Sequence, residues 1–288
     1  EATNNNDEVI FDFQMSKQNG GRREGLFGPV FVKGVQSSWG NMQPTQELVD
    51  DYCMANGLPI TDPASGYNKN NPYKNREKRF YQSILYDGSM WQGEEIITRV
   101  GVGSPNEIDT SSDSDVTNTG YYTRKTIDES VNGADNLQMS NGMANYIFFR
   151  YADVLLMYAE ALNEDYETPP KEAFDAVLKV RERSGMPGFP STLNKEQFRE
   201  KLRRERAVEL AYEDHRFWDI RRWLIADDEG VMKGAMYGLQ LSAVTGAPGK
   251  VHYKPYVFEN RLWSDRSYLH PIKQTEIDKG YMLQNPGW

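Results

Sequence analysis

Phe149-Arg-Tyr-Ala-Asp-Val-Leu-Leu-Met-Tyr-Ala-Glu-Ala-Leu-Asn163 has the period of an α-helix. Tyr151, Val154, Leu155, Tyr158, Ala161 and Leu162 recur at spacings of three and four, which puts them on one helical face. Ala152, Leu156 and Ala159 form a second stripe, so this helix is expected to pack on two sides. Downstream, Thr168 is read as the cap of a second helix with Pro169 at its first position. Phe174, Val177 and Leu178 are its apolar face, and Gly185 with Pro187 stops it. Asn194 and Gln197 make a capping box for a third helix, with Leu193 placed to staple onto Phe198. That helix is expected to run to about Tyr212, and a fourth to follow over residues 215–225. The arrangement is similar to tetratricopeptide helix pairs, without a clean period of roughly 34 residues.

Upstream, residues 1–145 are rich in Gly, Asn, Asp, Ser and Tyr. Residues 8–13 read as a strand, and a short helix is capped by Thr45, lines one face with Leu48, Val49 and Tyr52 and ends at Gly57. Phe80 to Tyr86 has strand character, with residues 94–100 as the expected partner across a turn at Asp87-Gly88-Ser89. Residues 101–119 form a polar loop, and from Gly230 to Trp288 the chain returns to strands and loops. The expected organisation is a loop-rich, ligand-facing segment 1–145, a helical segment 146–229 and an irregular segment 230–288 packing back on the first, all one domain. The fold class is mainly α with irregular and β-hairpin segments.

The 288 residues carry a net charge of −9, the opposite of what a phosphate-binding protein needs, so nucleic acid is disfavoured as a partner. Mean hydropathy is −0.73, and no apolar run approaches the roughly 20 residues of a membrane span. A single cysteine, Cys53, forbids an intrachain disulfide and a thiolate zinc cluster. Tyr, Trp and Phe make up 12% of the chain, amid many Asn, Gln and Gly, which suits sugar or peptide contact as well as core packing.

Searches for catalytic patterns fail. There is no nucleophile elbow, no phosphate loop and no zinc-protease helix, and Gly101-Val-Gly103 lacks the third glycine of a dinucleotide loop. His215, His252 and His270 have no ligand spacing. Asp113 and Asp115 are candidate calcium ligands, but the loop lacks the glycine and terminal glutamate of an EF-hand, and a solvated acidic loop is the favoured reading. No cofactor is implied. The block Arg203–Trp223 is the densest in charge: Arg206 with Glu209, and Arg216 with Asp219, stand three residues apart. It is read as buried ion pairs tying helices together over Trp218 and Trp223, in preference to an anion site.

Residues 149–163 and Glu205-Arg-Ala-Val-Glu-Leu-Ala-Tyr-Glu-Asp-His-Arg-Phe-Trp-Asp-Ile-Arg-Arg-Trp223 resemble the SusD/RagB family of outer-membrane nutrient-binding lipoproteins. Pro44-Thr-Gln-Glu-Leu-Val-Asp50, Phe80-Tyr-Gln-Ser-Ile-Leu-Tyr86, Tyr268-Leu-His-Pro-Ile-Lys-Gln-Thr-Glu-Ile-Asp278 and Gln284-Asn-Pro-Gly-Trp288 agree, in order along the chain. The resemblance implies tetratricopeptide-like helix pairs supporting a loop-rich region. It also implies a non-catalytic lipoprotein on the outer face of the outer membrane that captures oligosaccharides for a SusC-like TonB-dependent transporter. The RagB branch, which takes peptides, is the alternative of the same architecture; a glycosidase and a pure protein-interaction scaffold are the rivals from other classes. The family's N-terminal half, with its lipidated cysteine and first helix pairs, has no counterpart in these residues, so membrane contact would come through an anchor outside them.

Sugar capture needs aromatic faces for the apolar side of a pyranose and polar side chains for its hydroxyls. Trp39, between Ser38 and Gly40, is poorly covered by its neighbours and is the first candidate, with Asn41 and Gln43 as hydrogen-bonding groups. Tyr67, Tyr73 and Trp91 follow, each with core packing as its competing role.

Overall fold

The computed structural model describes residues 6–16, 20–111, 115–131, 142–247 and 249–288. Strand β1 (Val9–Phe13) and helix α1 (Arg23–Phe27) lead into β2 (Phe31–Val32), β3 (Val35–Gln36), helix α2 (Gln46–Asp51) and helix α3 (Lys78–Ser83). Strands β4 (Ile84–Leu85), β5 (Ser89–Trp91), β6 (Glu94–Ile96), β7 (Tyr122–Thr123) and β8 (Tyr146–Arg150) follow. Helices α4 (Tyr151–Asp165), α5 (Lys171–Glu182), α6 (Lys195–Glu209) and α7 (His215–Arg222) precede a long hairpin, β9 (Gly234–Ala243) and β10 (Val251–Arg261), and a short helix α8 (Gln274–Ile277). The chain is mainly helical, with irregular segments and antiparallel two-stranded ribbons.

Helix α6 starts as its sequence requires. The Asn194 side chain accepts from the Gln197 N–H, Gln197 reaches back to the Asn194 N–H, and Leu193 packs with Phe198 in one apolar cluster. Helix α5 starts two residues later than expected, capped by Pro170 rather than Thr168. Helix α4 corrects the reading of its faces. The stripe Ala152, Leu156 and Ala159 is the buried one, against Ala173, Ala176, Val177 and Val180 of α5 and Phe198 and Leu202 of α6. Tyr151, Val154 and Tyr158 face outward, because alanines allow the close helix approach that tyrosines would prevent.

Residues 80–86 are the second correction. Phe80 sits in the helical turn of α3, and only Ile84 and Leu85 are extended. Both Arg79 and Phe80 are buried there, the guanidinium among Glu77, Glu205 and Glu209 and the ring beside Tyr52 and Tyr73. Strand β4 pairs with β7, while β5 pairs with β6 through a turn in which Gln92 and Gly93 both have positive φ.

Among the described residues, three apolar clusters hold the fold together. One is formed by α4, α5 and α6. A second gathers Val49, Tyr52, Tyr73, Phe80, Ile84, Tyr121, Val208, Leu239 and Leu241, so it joins α2, α3, α6 and β9. The third contains Val30, Val32, Leu85, Trp91, Ile96 and Tyr122. Gly120 explains how β9 comes so close: at φ +87° it has no Cβ where one would meet the Leu239 carbonyl oxygen at 2.2 Å, and Thr119 O accepts the Leu239 N–H.

Candidate functional site

The loop after β3 presents Trp39 by an alternation that the backbone imposes. Ser37 and Ser38 are buried, and the Trp39 and Asn41 N–H groups donate to the carbonyls of Gly25 and Leu26 at 3.1 and 2.7 Å. Gly40, at φ +58°, lies so close to Asp115 O, Val30 and Tyr122 that a Cβ would sit 3.1–3.2 Å from each. With both flanking positions pinned inward, the indole turns out and is 39% exposed. Asn41 is exposed beside it. Gln43 is committed elsewhere: its Nε2 donates to Gly40 O at 2.8 Å, and its Oε1 accepts from Thr117 Oγ1 at 3.1 Å and Asn118 N at 2.9 Å. Gln43 therefore holds the Trp39 loop against residues 117–118 and has no free end to offer a ligand.

The other aromatic candidates divide. Tyr67 is half-buried, with the Arg76 guanidinium 5.9 Å from its ring centre. Tyr73 is 7% exposed, ringed by Phe80, Tyr86, Tyr121 and Tyr253 at centroid distances of 4.4–6.2 Å. Trp91 is 4% exposed, in the cluster of Val30, Val32 and Leu85. Both are core residues without an open face, since the aromatic and β-branched side chains around them come from distant segments. Asp113 lies outside the described residues; Asp115 is exposed. Among the described residues no group of three or more His, Cys, Asp or Glu converges as a metal would require.

The charged block is buried, but its pairs differ from the spacing. Glu209, 2% exposed, accepts from Arg79 Nη1 and Arg150 Nη1 at 2.8 Å each and from Arg183, not from Arg206. Arg206 pairs with Asp219 through Nε at 2.9 Å and with Asp153 at 2.9 Å. Asp219 takes Arg206 and Arg222, while Arg216 is exposed. Trp218 is also exposed, whereas Trp223 lies between the guanidinium groups of Arg203 and Arg222, at 4.9 and 4.7 Å, and donates its N–H to Glu160 at 2.7 Å. The spacing of three does give a pair at Asp219 and Arg222, whereas Glu209 and Arg206 take partners from other elements.

Arg79, Lys125, Arg150, Glu205 and Glu213 complete the lattice; Glu205 and Glu213 lie in the charged block 203–223, whereas Arg79, Lys125 and Arg150 come from outside it. Arg79 bonds Glu205 at 2.6 Å and Glu77 at 2.7 Å, and Glu213 accepts from Arg150 and Lys125 at 2.6 Å each. Burial alone would raise the Glu213 carboxyl, but Lys125 and Arg150 outweigh it and hold it at about 2. Glu209 is likewise held below the ordinary range by Arg150, Arg79 and Arg183 against its burial. Part of this lattice lines a cleft of about 420 Å³ under β1 and β8, with Tyr146, Asn145 and Tyr212 around it.

The sequence profile of the SusD family matches residues 7–288. A SusD-like protein of Bacteroides fragilis is 29% identical over 98% of this chain and 54% of its own, with a TM-score of 0.77. A SusD-like carbohydrate binding protein of the same species is 28% identical over 95% of this chain and 53% of its own, with a TM-score of 0.75. SusD-like protein P2 of Formosa agariphila is 31% identical over 153 residues, 50% of this chain and 26% of that relative. The chain spans about half the length of the solved relatives it matches. A profile match from end to end, a shared fold and the helix-borne motifs agree: the chain belongs to the SusD family.

Proposed function

We propose that this chain contributes the glycan-contacting loops of a non-catalytic surface protein that captures oligosaccharides and passes them to a SusC-like TonB-dependent transporter. The observation that carries the reading is Trp39, a half-open indole on a loop fixed by backbone hydrogen bonds and by Gln43. A rigid aromatic face loses little entropy when a sugar ring lies on it, which is the property a capture site needs. Asn41 next to it, and Tyr67 on the loop after α2, supply further contact of the same kind. Membership of the SusD family, and the 28% identity to a carbohydrate binding protein, support the ligand class. The family also supports placement at the outer face of the outer membrane, through a lipid anchor outside these residues.

Within the cleft, Glu209 and Glu213 are held as anions by three arginines and a lysine, so neither is the protonated acid that a glycosidase needs. A glycan array followed by calorimetry tests the reading. A bound oligosaccharide should be recovered intact by chromatography after prolonged incubation; shortening that disappears when one carboxylate is mutated would overturn it.

A further inference from the structure

Among the described residues most buried carboxylates lie beside a cation, with Glu24 as an exception. Asp51 lies 3.2 Å from Arg204, and the lattice glutamates each meet one or more guanidinium or ammonium groups. Asp50, the residue before, is different. It is half-buried at the end of α2, and among the described residues no cation stands within ion-pair distance of it. Burial raises its carboxyl above the ordinary range, with Gln46 and Arg76 opposing. Arg76 is near, but its two Nη groups donate to the carbonyls of Pro72, Val49 and Tyr52 at 3.2, 2.5 and 2.7 Å, and no bond joins it to Asp50.

A relay holds Asp50 in place. The fully buried Tyr121 donates its hydroxyl to Gln46 Oε1 at 2.8 Å, and Gln46 Nε2 donates to Asp50 Oδ1 at 2.6 Å. One carboxylate oxygen is thus anchored, and an anion accepts several hydrogen bonds. Arg76 links it to Tyr67: the guanidinium lies over the Tyr67 ring at 5.9 Å and also opposes the burial of Asp50. Both belong to the segment that Trp39 begins. Gln43 and Gln46 brace it successively on Thr117, Asn118 and Tyr121.

We propose that Asp50 is a specificity-determining contact of the glycan site, accepting hydroxyl hydrogens of a neutral sugar unit that lies against Tyr67. This rests on the carbohydrate reading above. A charge-assisted O–H···O⁻ bond to a fixed, partly desolvated carboxylate is stronger than one to a neutral amide. The same charge repels a uronate or sulfated unit, so the residue selects as well as binds. The partly desolvated charge, which costs free energy in the unliganded protein, is offset when hydroxyl donors arrive.

The test uses the 288-residue chain with malto-, laminari-, cello- and manno-hexaose as neutral probes and hexagalacturonate as the anionic one, read by calorimetry. Asp50→Asn keeps the acceptor for Gln46, so its melting temperature should stay at the wild-type value. Its affinity for the preferred neutral hexaose should fall at least fivefold, and its discrimination against hexagalacturonate should shrink. Glu164→Gln, the same charge change on a surface residue, should alter neither. If Trp39→Ala weakens binding while Asp50→Asn leaves affinity and discrimination unchanged, the role of Asp50 is refuted and the carbohydrate reading stands. Preference of the wild type for hexagalacturonate refutes it too. Binding of none of the probes, alongside an empty glycan array, overturns the carbohydrate reading itself and this proposal with it.

Discussion

Replacing Glu209 by glutamine removes one negative charge from the centre of the buried lattice and little volume. Three guanidinium groups lose a partner: Arg79, Arg150 and the more exposed Arg183. Breaking a buried pair by removing one member costs about 3–5 kcal/mol, because a desolvated charge is left behind. Here Arg79 keeps Glu205 and Glu77, and Arg150 keeps Glu213 and Glu8. The cations are weakened rather than orphaned, so the lower end, about 3 kcal/mol, is expected. For a chain of this size the unfolding entropy is about 0.6 kcal/mol per kelvin, and the melting temperature should fall by about 5 °C. Urea titration of Glu209→Gln measures the difference directly. Glu164→Gln breaks only a surface pair with Arg199 and should cost under about 1 kcal/mol. Glycan affinity of the folded variant should equal that of the wild type. Wild-type stability combined with lost binding would refute the reasoning and make the lattice a ligand site.

Trp39→Ala should weaken glycan binding by roughly 1–3 kcal/mol, about five- to 150-fold, with little change in melting, whereas Trp91→Ala should cost about 3–5 kcal/mol of stability as a core truncation; calorimetry and a melting curve on each separate the two. The pH dependence of stability follows from Glu213. Its folded pKa of about 2 is below the unfolded value near 4.3, so its contribution is fully present above that value and is lost as pH falls toward 2. Denaturant titrations from pH 6 to 2 should show that decline, and Glu213→Gln should flatten it. Gly120→Ala places a Cβ on the Leu239 carbonyl at a positive φ and should destabilise by more than about 1 kcal/mol; a variant as stable as wild type would contradict the close approach of β9.

Helices α5 and α6 were legible within a few residues because capping and period-3.6 patterning are local: Asn194, Gln197 and Leu193 act on neighbours three or four positions away. The motifs of α4, α6 and α7 were enough to assign the family for the same reason, since the side chains that make them sit close in the chain. The exposure of Trp39 agrees with the reading of its small neighbours, although that local feature does not decide exposure by itself.

Contacts between distant segments were decided by the tertiary structure alone. Trp39 and Trp91 both stand next to glycine or small polar residues within a few positions, yet one is open and the other enclosed by Val30, Val32 and Leu85. The outward turn of Tyr151, Val154 and Tyr158 depended on which stripe of α4 could approach α5 more closely, a matter of volume at the interface rather than hydrophobicity in the sequence. Glu209 meets Arg150 across 59 positions and Arg79 across 130, while the arginine three residues away serves Asp153 and Asp219. A charge in a low-dielectric interior takes whichever opposite charge the packing brings within about 3 Å; helical spacing foretells a local pair such as Asp219 with Arg222 but not partners from distant segments.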